Sequence, residues 1–98
     1  MKPASYYAFC LVFAWILWQR VASVNNPSGQ WINQTSYLSQ QTCTTDASRI
    51  IDQLRNEYLR RGLGATYTFN EGVGGFSVDN GERHVFMCYS SDFDPRPR

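Results

Sequence analysis

Residues 6–18 (YYAFCLVFAWILW) run without a charge or strong polar group, and this run decides how much of the chain is left to fold. Lys2 stands ahead of it. Gln19, Arg20, Val21, Ala22 and Ser23 follow, with Val21 and Ser23 as small residues of the kind a leader peptidase reads. A basic start, a short apolar centre and a small-residue cut site make a secretory signal peptide, and the pattern predicts cleavage after Ser23. The run is shorter than the roughly 20 residues that cross a bilayer as a helix. It is also apolar on every side, whereas a helix lying on a protein core is amphipathic. The alternative is an uncleaved anchor, with Trp15 and Trp18 at a membrane interface and Arg20 beside them. The expected organisation is a signal peptide at 1–23, an exported domain at 24–91 and a flexible tail at 92–98, with no membrane attachment after cleavage.

A domain as short as 24–98 buries only roughly 60% of its unfolded surface and is marginal without a covalent staple. Cys10 leaves with the leader, so Cys43 and Cys88 remain, and two cysteines in an exported domain read as one disulfide. The eight Asp and Glu residues nearly balance the arginines of this region, so neither nucleic acid nor an anionic membrane is indicated as a partner.

The helix is the clearest element. Thr44, Thr45 or Asp46 supplies a cap, and Ala47, Ile50, Ile51, Leu54 and Tyr58 follow the three-and-four spacing of one apolar stripe. Glu57 stands four residues before Arg61 in the favourable order, and Gly62 ends the helix. Ahead of it, residues 24–29 read as a loose turn and residues 30–39 as one or two short strands. Behind it, residues 65–70 alternate, with Tyr67 and Phe69 on one side, and residues 76–79 and 83–89 flank a hairpin signal at Asp79-Asn80-Gly81. A two-residue turn would set Phe76 and Val78 opposite in face to Phe86 and Cys88. A three-residue loop with Gly81 left-handed puts all four, and His84, on one face; Cys88 has to reach Cys43, so the longer loop is expected. The fold class is α+β, one amphipathic helix on a small antiparallel sheet with one disulfide.

Chemistry is sparse. Glu82, Arg83 and His84 offer a base, a guanidinium and an imidazole in sequence, and they are the candidates for a ribonuclease-like site, with Glu71 as another carboxylate partner. On a strand, however, Glu82 and His84 share a face while Arg83 points away. No metal-ligand spacing occurs, the glycines at 72, 74 and 75 lack the context of a phosphate loop, and no serine sits in a nucleophile elbow, so no cofactor or metal is expected. Asn33-Gln34-Thr35 is an acceptor sequence for N-glycosylation. Trp31, Tyr37, Tyr67 and Tyr89 would make a contact site for a partner protein if they gathered on one surface.

The stretch from Trp31 to Leu54, with Asn33-Gln34-Thr35-Ser36, Cys43 and the Ile50/Ile51/Leu54 stripe, followed by Cys88 in a late strand, resembles small secreted fungal effectors. The pattern is similar to the necrosis-inducing extracellular effector family, itself akin to secreted killer toxins. The chain lacks that family's earlier cysteine and its usual glycine before the last one, and the resemblance assigns no active residue. It implies a secreted, toxin-like virulence protein that binds a host or target protein without catalysis, outside the target cell or after entering it. The reading leans away from an enzyme; the alternative is a secreted ribonuclease-like domain that cleaves or binds RNA.

Overall fold

A strand covered on both faces needs apolar side chains at successive positions, and residues 15–18 supply them. The computed structural model describes residues 14–69 and 72–97. Among them the chain runs β1 (Trp15–Ser23), β2 (Asn26–Tyr37), α1 (Gln40–Arg60), β3 (Ala65–Thr68), β4 (Gly74–Val78) and β5 (Arg83–Ser90). The five strands form one antiparallel sheet in the order β2-β1-β5-β4-β3. One face of the sheet carries α1, and Cys43 of α1 is bonded to Cys88 of β5 with their Cα atoms 6.2 Å apart. This is the α+β architecture expected from the sequence.

The largest difference from the sequence reading is at the amino-terminal side. Residues 15–23 were expected to be the end of a leader, yet they are an internal strand paired with β2 on one side and β5 on the other. Leu17 is 0% exposed within the core under α1, and Trp18, on the opposite face, is 4% exposed. The physical reason is that a two-sided strand and the apolar centre of a leader have the same signature, an unbroken apolar run. Residues 1–13, with Lys2 and Cys10, lie outside the described residues. The stretch 24–29, expected to be loose, turns at Val24-Asn25 and then enters β2, which is one strand as far as Tyr37.

The helix also begins earlier than expected. Ser39, not a residue at 44–46, is the N-cap, and its Oγ accepts the Thr42 amide at 3.1 Å. Thr42 and Thr44 turn their hydroxyls back onto the carbonyls of Ser39 and Gln41, both at 3.0 Å, so these threonines serve the first turn from within it. Cys43 therefore sits inside the helix rather than before it. The buried stripe is Cys43, Ala47 and Ile51, with Ile50, Leu54 and Tyr58 half-buried beside it. Glu57 pairs with Arg60 instead of Arg61, whose guanidinium lies 4.9 Å over the Tyr58 ring. Gly62, with φ +83°, closes the helix as expected; its amide bonds Leu59 O at 3.0 Å and the Leu63 amide bonds Tyr58 O at 3.1 Å.

The β4–β5 hairpin has the expected three-residue loop. The Val78 amide donates to Glu82 O at 2.8 Å, Gly81 donates to Val78 O at 2.9 Å, and Gly81 takes φ +95°. Phe76 and His84 face each other across the strands, and Phe76, Val78, His84 and Phe86 are all buried.

Candidate functional site

The core side of the sheet carries one polar cluster, built from four elements. His84 (β5) and Gln19 (β1) are both 5% exposed. Gln34 of β2 donates its amide N–H to Gln19 Oε1, which leaves Gln19 Nε2 facing His84 Nδ1 at 2.9 Å. An amide nitrogen only donates, so Nδ1 is the acceptor and the network assigns the ring proton to Nε2. Nε2 lies 3.2 Å from Glu82 Oε1 and 3.2 Å from the Tyr58 hydroxyl of α1. That hydroxyl donates to Glu82 Oε1 at 2.6 Å, and Asn80 Nδ2 donates to Glu82 Oε2 at 3.2 Å. The imidazole lies nearly flat on Phe76, with centroids 4.7 Å apart and planes 16° apart.

These surroundings set the charges. Burial holds the His84 imidazole below its ordinary pKa, with the Glu82 hydrogen bond and charge pulling the other way. The Tyr58 hydroxyl chiefly, helped by His84 and Asn80, holds the Glu82 carboxyl below the usual range. Tyr58 is pushed up to about 12 by burial and by its bond to that carboxylate. His84 is thus a neutral ring with both nitrogens bonded inside the fold. Glu82 and His84 come together as the alternation predicts, and Arg83 lies on the opposite face. Glu71 lies outside the described residues. Surface concavities of about 470, 240, 310 and 200 Å³ occur, and neither His84 nor Glu82 lines any of them. The cluster ties four elements together.

The outer face of the sheet, away from α1, has a different character. Strand alternation and register put Trp18, Arg20, Trp31, Asn33 and Val85 there. Arg20 lies 5.7 Å over the Trp31 ring, Trp31 meets Trp18 edge-on at 6.4 Å, and Arg96 lies 5.3 Å over Trp18. Trp18 Nε1 is buried without a hydrogen-bond partner among the described residues. Residues 92–97, expected as part of a flexible tail, bring Arg96 onto this stack and Phe93 to 4.6 Å from Tyr89.

The four aromatics singled out from the sequence do not form one patch. Trp31 and Tyr89 are on the outer face. Tyr37 and Tyr67 are on the helix side, where their hydroxyls donate to Asp46 and Asp52 of α1. Sequence reasoning missed Trp18, Arg20 and Gln19 because they fell in the presumed leader; the alternation of Trp18 and Arg20 with Leu17, Gln19 and Val21, ahead of the turn signal at Asn25-Asn26-Pro27, was the available clue. Asn33 is exposed on β2. Among the described residues no group of three or more His, Cys, Asp or Glu side chains is placed to hold a metal ion, and no helix is long and apolar enough to cross a membrane. No protein-family model matches the chain, and neither the curated proteins nor the solved structures show a match to it.

Proposed function

We propose that this chain is a small exported, non-enzymatic binding protein of effector or toxin type, acting on a host or competitor cell through the outer face of its sheet. The stack of Arg20, Trp31, Trp18 and Arg96 carries the reading, since Trp and Arg are the side chains that most often dominate binding energy. Export is supported by the Cys43–Cys88 bond, because such bonds persist in oxidising compartments. The sequence resemblance to necrosis-inducing extracellular effectors points the same way. Against the ribonuclease-like alternative stands His84, whose two nitrogens are occupied within the fold.

The test uses the labelled protein collected from medium. Saturable binding to intact plant or fungal cells, lost in Trp31→Ala while the circular dichroism spectrum stays unchanged, is the expected result. Binding that survives Trp31→Ala and Arg20→Ala together would overturn the assignment of the face. Incubation with total RNA runs alongside: cleavage abolished by His84→Ala would overturn the non-enzymatic reading.

A further inference from the structure

The geometry points to a proteolytic processing site at the Ala14–Trp15 peptide bond, one residue ahead of the first strand. This inference rests on the export reading above. In the sheet order β2-β1-β5-β4-β3, β1 is the sole neighbour of β2 among the described residues and the strand that joins it to the rest. A cut after Ser23 takes away β1 and leaves the twelve residues of β2 with no strand among the described residues to pair with. It also removes Leu17 from the core under α1, and it removes Trp18 and Arg20 from the outer-face stack. The buried His84 would lose Gln19, the partner of its Nδ1. A cut after Ala14 removes none of these. Among the described residues it gives up one backbone bond at the end of the sheet, from the Ser91 amide to Ala14 O at 3.0 Å.

The sequence ahead of that bond has the parts a leader peptidase needs. Lys2 provides the basic start, and residues 6–13 (YYAFCLVF) form an apolar centre within the roughly 7–15 residues usual for one. Val12 and Ala14 are then the small residues at the third and first positions before the cut, with Phe13 between them. Hydrolysis adds one water across the bond, leaving a carboxylate on Ala14 and a free α-amino group on Trp15. Cys10 departs with the leader. The product then carries Cys43 and Cys88 alone, which are bonded to each other, and no odd thiol enters the oxidising compartment to compete for either.

The experiment expresses the full chain in a secreting yeast and determines the amino terminus and intact mass of the product from the medium after N-glycan removal. A product beginning at Trp15 is expected. A product beginning at Val24 would overturn the cut position while leaving export intact. Full-length chain confined to the cells, with Lys2 still present, would overturn the export reading itself. Ala14→Arg, which places a large charged residue just before the bond, should at least halve the amount of product beginning at Trp15. An unchanged yield of that product from Ala14→Arg would overturn the site.

Discussion

Leu17 of β1 stands directly opposite Cys88 of β5, so the strand that opens the described fold and the covalent staple meet in one patch of core. Leu17 is fully buried there, and truncating it to alanine should cost about 2–5 kcal/mol. Urea denaturation of Leu17→Ala checks this. A transition at the wild-type midpoint would mean that β1 does not belong to the cooperative unit.

The loop closed by Cys43 and Cys88 has a sequence separation of 45, for which the chain-entropy estimate is about 4 kcal/mol. That is much of the stability a domain of this size has. Reducing agent and Cys88→Ser should each lower the thermal midpoint, and by similar amounts. Equal midpoints for oxidised and reduced protein would show that the bond adds nothing to stability.

Stability should fall on acidification, beginning near neutrality. His84 is held below its ordinary pKa in the fold, so the unfolded chain binds more protons as pH drops through the usual imidazole range around 6.5. Its contribution is present in full above that range and is lost below it. Protonating Nδ1 would also set an N–H against the amide of Gln19, which relieves the clash only if Gln19 and Gln34 both flip. Glu82, with its folded pKa lowered, adds a second loss as pH falls below the usual carboxylate range. Urea midpoints measured from pH 8 down to about pH 2 should show both phases, and His84→Phe should remove the first. A midpoint that rises between pH 7 and pH 5.5 would contradict the neutral buried ring.

On α1, Ile51 rather than Leu54 is the buried member of the stripe, so Ile51→Ala should cost about 2–5 kcal/mol and Leu54→Ala less. Arg49, which bonds Asp46 and Gln53 on the exposed side, should tolerate alanine with no measurable shift. Equal denaturation midpoints for Ile51→Ala and Arg49→Ala would refute the orientation of the helix.

Several features were legible in the sequence because each rests on a local pattern. The helix stripe from Ala47 to Tyr58 and its stop at Gly62 are set by nearest neighbours, while the loop parity that puts Phe76 and Val78 with His84 and Phe86 followed from the need for Cys88 to reach Cys43. The pairing of Cys43 with Cys88 followed from there being no other candidate partner in the exported region. β1 was not legible, since its two faces are covered by elements far away in sequence, α1 on one side and residues around Arg96 on the other. The cap was missed for a related reason: residues 40–46 are polar apart from Cys43, so periodicity begins only after the helix has already started. Of the partners of His84, Glu82 was legible from strand alternation, whereas Gln19 of β1 and Tyr58 of α1 come from distant segments that no local spacing could have announced.

Asn33 and Trp31 are alternate residues of β2, and Asn33 pairs in register with Trp18, so the glycosylation acceptor shares its face with the tryptophan–arginine stack. A glycan built there would stand beside the stack as a screen. Bacterial material and material from a glycosylating host would then be two different reagents, one with the stack bare and the other with it shaded. Batches compared for activity would have to be matched for sugar before any difference is ascribed to sequence.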